Sequence, residues 1–153
     1  MRSHTFAAVL LSCLLTACAT PRIYVEISGS VHLPQGATLP ESYRFFLIEQ
    51  RHEQSVLAEY LLPVAALEIG PNGTFQFEGF VCPTEVWLEA PYAGGIRVSS
   101  PSHRGIMIDI STEELAIIQA EYEQNPAWQL QLERAAEFEG RTQQTRNSAQ
   151  IPC

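Results

Sequence analysis

Leu67-Glu68-Ile69-Gly70-Pro71-Asn72-Gly73-Thr74-Phe75-Gln76-Phe77 is the stretch that decides the fold class of this chain. Apolar and polar residues alternate on both sides of a short break, so each arm reads as a strand with one buried face. Within the break, Pro71 fixes φ while Asn72 and Gly73 tolerate φ above zero, the chemistry of a tight reversal. Leu67, Ile69, Phe75 and Phe77 then line one face of a hairpin-like unit.

The same period of two runs outward in both directions. On the N-terminal side, Ile23, Val25, Ile27 and Val31 alternate with Tyr24, Glu26, Ser28 and Ser30. A Pro-rich loop follows. A second strand is predicted over 43–49, with Tyr43, Phe45 and Leu47 on one side. Residues 50–54 read as a polar tip, 56–62 as a third strand and 65–69 as a fourth. On the C-terminal side, 74–80 is the fifth strand and 85–90 the sixth, with Val86 and Leu88 inward. Pro91-Tyr92-Ala93-Gly94-Gly95 is a turn, 96–99 a short strand and 100–105 a loop, before Ile106, Ile108 and Ile110 alternate with Met107 and Asp109. Seven or eight short strands over residues 22–110, broken by turn signals and by no helical period, predict a mainly β chain built on an antiparallel β-sandwich.

After Ile110 the period changes. Ser111-Thr112-Glu113-Glu114 has the form of a capping box, and Asn125-Pro126 pairs a cap with a proline at the first helical position. Helices are predicted over 112–124 and 126–139, as an extension spanning 111–140 packed on the sandwich or on itself. Leu115, Ile118, Ala120 and Tyr122 favour one side of the first. Trp128, Leu132, Ala135 and either Ala136 or Phe138 favour one side of the second. Residues 140–150 carry no apolar face, and 141–153 are expected to be a tail, extended or disordered until Cys153 ties it down.

Residues 1–17 have the form of a secretory leader: Arg2, about ten nearly continuous apolar residues, then small residues. The apolar run is too short to span a bilayer core, which takes about 20 residues. Leu15-Thr16-Ala17-Cys18 resembles the lipobox of bacterial lipoproteins, which implies lipidation of the Cys18 thiol and cleavage before it. Ala19 stands where Asp is the familiar inner-membrane retention signal, so resemblance to Gram-negative lipoproteins implies an outer-membrane address facing the periplasm. Residues 18–21 would then be a short lipid tether, reaching only about 14 Å. That predicts an envelope protein partner close to the bilayer.

Residues 18–153 hold eight arginines, no lysine, and seventeen acidic residues of which only Asp109 is an aspartate. So acidic a chain is not built to coat nucleic acid. Cys82 and Cys153 remain besides Cys18. In an oxidising compartment they form a candidate disulfide, closing a loop worth about 4 kcal/mol in the chain-entropy model. The alternatives are two unpaired thiols, or Cys153 paired with another molecule. No CxxC and no histidine at ligand spacing points to a metal, and no cofactor is implied.

Chemistry is sparsely signalled. His32, His52 and His103 have no partner at motif spacing, and no GxSxG elbow is present. The glutamates at 113/114 and 121/123 read as a helix start and a solvated face rather than an acid–base couple. No catalytic residue is assigned. Trp87 and Trp128 are either packing residues or interface anchors. Three segments together, Ile27-Ser28-Gly29-Ser30-Val31, Asn72-Gly73-Thr74-Phe75-Gln76-Phe77 and Val86-Trp87-Leu88, resemble the transthyretin-like, carboxypeptidase-regulatory-like sandwich over roughly residues 23–90. That resemblance implies a non-catalytic binding or assembly module. The alternative is a small periplasmic glycan-binding protein or hydrolase that uses the aromatic Pro91-Tyr92 loop.

Overall fold

A computed structural model describes residues 22–53, 58–82, 85–98 and 102–144, with the backbone alone for 51–53, 58–60 and 142–144. Seven strands precede two helices: β1 Ile23–His32, β2 Arg44–Glu53, β3 Ala58–Glu68, β4 Thr74–Val81, β5 Glu85–Ala90, β6 Gly94–Val98, β7 Ser102–Asp109, α1 Thr112–Glu121 and α2 Pro126–Gln144. A single 3₁₀ turn, Tyr122–Gln124, joins the helices. The strands form two sheets, ordered β4-β1-β7 and β3-β2-β5-β6. The chain is thus mainly β, a two-sheet sandwich with a C-terminal helical pair.

The turn at 70–73 forms as its residues require. The Gly73 amide donates to the Gly70 carbonyl at 2.8 Å, Gly73 sits at φ 75°, and the Asn72 side chain accepts from the Thr74 hydroxyl at 2.7 Å. The reversal joins β3 in one sheet to β4 in the other. The core lies between the sheets, where Val25, Ile27, Phe45, Leu47, Leu67, Phe75, Val86, Leu88, Ile106 and Ile108 are buried together. Phe45 and Phe75 meet edge to face across the gap, ring centroids 5.0 Å apart.

Several elements depart from the sequence expectation. The third and fourth predicted strands are one strand, β3. Pro63 stays inside it because β3 is a sheet edge and the register slips beside it, between Leu47 and Ile48 of β2. Residues 50–53, expected to be a polar tip, continue β2. β7 begins at Ser102 rather than after a loop at 105. It runs parallel to β1, so the sandwich is not wholly antiparallel. α2 extends to Gln144 where a tail was expected from 141, since nothing in 140–144 breaks it except the single Gly140.

β2 carries the largest surprise. Phe45, Phe46, Leu47 and Ile48 are all at most 2% exposed. Phe45 and Leu47 face the other sheet, as their alternation requires, while Phe46 and Ile48 face outward and are covered. α2 supplies that cover: the Trp128 indole stacks on the Phe46 ring at 5.8 Å and 13° between planes, and Ala135 is fully buried. The molecule therefore has three layers, with β2 in the middle one.

Gly29 marks the tightest approach within the β4-β1-β7 sheet. A Cβ there would overlap the Ile106 carbonyl oxygen and the Phe75 ring, beside the register shift between β1 and β7. Gly29→Ala is expected to lower the unfolding free energy by about 1–3 kcal/mol, since the backbone oxygen has to move. Gln76→Ala, at an exposed position on β4, is expected to change it little. Urea denaturation of both variants beside the parent checks this.

Candidate functional site

One end of the sandwich is closed by tyrosines. The side chain of Tyr43, one residue before β2, is buried, and its hydroxyl donates to the Pro91 carbonyl at 2.7 Å. Tyr122, in the 3₁₀ turn, packs edge to face on it at 4.8 Å; its hydroxyl accepts from the Arg44 amide at 3.2 Å. Burial pushes both phenols above their ordinary range, Tyr43 the further. Leu115 and Ile118 join the same core, so α1 plugs the end of the sandwich. The capping box sets the start of α1. Ser111 Oγ accepts from the Glu114 amide at 3.2 Å, and the Glu114 carboxylate accepts from the Ser111 hydroxyl at 2.7 Å and the Ser111 amide at 2.8 Å; the hydroxyl first and then the amide hold the Glu114 carboxyl below its ordinary range.

Tyr92 stands beside this plug. It is the one described non-glycine residue with positive φ, at 64°, a conformation costing about 1–3 kcal/mol unless neighbours impose it. Two contacts hold its side chain: Asn125 Nδ2 donates to the Tyr92 hydroxyl at 2.8 Å, and the ring meets Trp128 edge to face at 5.9 Å. Asn125 is also the start signal of α2, its Oδ1 accepting from the Ala127 amide at 3.0 Å. One side chain therefore starts the helix and fixes the loop.

Between the loop and the helices lies a cleft of about 230 Å³, lined by Tyr92, Ala120, Glu121, Gln124 and Asn125. It is open and smaller than the several hundred Å³ of a typical small-molecule site. Its polar groups are a carboxylate, two amides and a phenol. They suit hydrogen bonding to an amide or attraction of a cationic side chain. Under the cleft, Trp128 Nε1 is buried without an acceptor.

The histidines do not converge. His32 pairs with Asp109 at 3.3 Å at the end of β1, His103 stands opposite Ile27 within the sheet of β1 and β7, and His52 belongs to β2 in the other sheet. Ser99, Ser100 and Pro101 lie outside the described residues. Trp87 is half-buried on β5 and Trp128 packs between Phe46 and Tyr92; neither lines the cleft. Ala120, assigned to a buried helical face, is exposed and lines the cleft, and of the alternatives Ala136 and Phe138 it is Phe138 that packs on the core. Glu121 lines the cleft, Glu114 is spent on capping, and Glu123 accepts from Ser42 Oγ at 2.6 Å. Among the described residues, no group of three His, Cys, Asp or Glu is placed to hold a metal ion, and no helix is long and apolar enough to cross a membrane.

At the opposite end, Cys82 is fully buried, and its amide donates to the fully buried Glu49 carboxylate at 2.7 Å. This bond ties β2 to the end of β4 and links the two sheets. The Cys82 sulfur is not a free thiol. Cys18 and Cys153 lie outside the described residues. The Glu49 contact was missed from sequence, yet the parity of Tyr43, Phe45, Leu47 and Glu49 was the available signal for it.

No family model and no curated protein matches this chain. One solved structure, a DUF3823 family protein from Parabacteroides merdae, is similar at 15% identity over 57% of this chain, with a TM-score of 0.33. The chain spans 45% of that protein's length.

Glu89, opposite Phe46 on the α2 side of β5, has its carboxyl raised above the ordinary range by burial. A raised folded-state pKa means that the ionised group costs stability at neutral pH, a cost that fades as the carboxyl is protonated on acidification. Glu89→Gln is expected to melt above the parent at neutral pH, with the gap closing toward about pH 4. Thermal melts at the two pH values check the sign.

Proposed function

We propose that this chain is a lipid-anchored envelope protein that acts by binding another envelope component close to the bilayer, without catalysis of its own. The observation that carries the reading is the pairing of Leu15-Thr16-Ala17-Cys18 with a folded domain that begins at once: β1 starts at Ile23, five residues after Cys18. Such a tether keeps the domain within about 20 Å of its lipid. An outer-membrane address follows from Ala19, and the sandwich belongs to the transthyretin-like type on the motifs around Gly29 and Gly73. Cys82 is bridged to Cys153, which holds the C-terminus at the end of the sandwich where β1 begins. The functional surface is the cleft at Tyr92, whose Glu121, Gln124 and Asn125 offer hydrogen bonds and one negative charge to a partner's polar or cationic side chain.

The acidic balance supports a protein or glycan partner rather than nucleic acid. A glycan would be favoured only through Tyr92 as a stacking platform, and that ring is already packed against Trp128.

In cells labelled with a palmitate analogue, the parent is expected to carry label and to fractionate with membranes, and Cys18→Ser to lose both. Crosslinking of the anchored protein followed by mass spectrometry is expected to capture one stoichiometric envelope protein, and Glu121→Arg to weaken that capture. Capture of glycan alone, or undiminished capture by Glu121→Arg, excludes this use of the cleft.

A further inference from the structure

Exposed apolar side chains gather at the end of the sandwich where the described chain begins. Tyr24 and Phe80 are partners in the β1–β4 ladder, on the outward face, with ring centroids 5.4 Å apart in an edge-to-face pair. They are 44% and 59% exposed, and Ile23 beside them is 40% exposed. Arg22 stands at the same edge; its guanidinium donates to the Phe80 carbonyl at 3.3 Å and lies over the Phe138 ring of α2 at 5.0 Å. Farther along that face the character changes to Glu26, Glu78 and Arg104, then Ser30 and Thr74, with His32 and Asp109 at the far end. Met107 is its one large exposed apolar residue there.

Glu49 of β2 lies level with Cys82, and the β2–β3 ladder continues four pairs beyond it, from Gln50–Leu61 to Glu53–Ala58. At about 3.3 Å per residue, those four pairs extend roughly 13 Å beyond Glu49. A short tether ending at residue 22 brings this end of the sandwich, including the outer corner of the β4-β1-β7 sheet, toward the surface that holds the anchor. Tyr24 and Phe80 occupy that corner. Amphipathic and aromatic rings are the side chains that settle at the headgroup level, where a polar tip stays wet and the ring body leaves water.

We propose that the Tyr24–Phe80 corner, with Ile23, rests in the interfacial region of the lipid bilayer, fixing the tilt of the domain and turning the Tyr92 cleft, at the far end of the sandwich, away from the membrane. This orientation rests on the lipid anchor at Cys18 and adds a second, protein-mediated contact to it.

The test uses the full lipidated chain reconstituted in phosphatidylcholine vesicles containing bromine-labelled lipid. Phe80→Trp places a fluorophore at the corner, and Gln76→Trp places one on the same strand and face toward the other end. The fluorescence added over the parent by Phe80→Trp is expected to be quenched at least threefold more than that added by Gln76→Trp. Equal quenching, or none, in protein that remains vesicle-bound overturns the orientation and leaves the anchor intact. A mature N-terminus without diacylglycerol by mass spectrometry, together with protein free of the vesicles, overturns the anchor and the orientation with it. Both substitutions are at exposed positions, and matching melting temperatures establish that each variant is folded.

Discussion

Burial of β2 on both faces is the constraint from which the rest of the architecture follows. The stretch Phe45-Phe46-Leu47-Ile48 of β2 has an apolar side chain at every position, so a single sheet-on-sheet interface leaves half of them in water. Each uncovered Phe or Ile side chain forfeits about 1.5–3 kcal/mol of transfer free energy. The opposite sheet covers Phe45 and Leu47. Something else has to cover Phe46 and Ile48, and the chain provides it last, as α2. The helical pair is thus a third layer required by the sequence of the second strand, rather than an appendage to a finished sandwich.

That requirement also explains the connection before α2. For Trp128 to land on Phe46, the chain has to leave β7, close the end of the sandwich and turn back over the other sheet. Leu115, Ile118 and Tyr122 do the closing through α1 and the 3₁₀ turn, and Asn125-Pro126 makes the reversal. Tyr92 is drawn into its left-handed conformation where this reversal passes the β5–β6 turn. Its hydroxyl is held by Asn125 and its ring by Trp128, so the contacts that seat α2 also offset the backbone cost at Tyr92. The cleft is a consequence of that seating: it is the space left between a strained turn and two helices that meet beside it.

Local signals in the sequence named most of the elements and few of their relations. The turn at Gly70–Gly73, the capping box at Ser111 and the Asn125-Pro126 start were all readable, because each depends on neighbours within four residues. The alternation of Val25, Ile27 and Val31 marked the buried face of β1 for the same reason, while Ile23, read on the same face, is exposed at the strand's end. What local pattern does not contain is the partner of a face. Phe46 and Ile48 look like solvent-side positions until α2 is known to lie over them. Pro63 looks like a strand break until β3 is known to be an edge with a register slip beside it. The parallel pairing of β1 with β7, and the bond from the Cys82 amide to Glu49, join residues far apart in sequence. Cys18 lies outside the described residues, and its proposed lipidation concerns processing rather than contacts.

The two ends of the molecule divide the work that the proposed reading assigns to it. The end bearing Arg22, Glu49 and Cys82 is where the chain enters, where the sheets are tied together, and where aromatic side chains stand exposed. The other end is closed by buried tyrosines, and its one cleft is lined by polar groups. On the proposed reading, a tether only a few residues long makes that polarity matter, because it denies the domain the freedom to present either end at will. On a long flexible linker, a 230 Å³ cleft with one carboxylate would sample every direction and bind with the corresponding entropy cost. On a short one, the fold itself sets which way the cleft points, and part of that cost is met before any partner arrives.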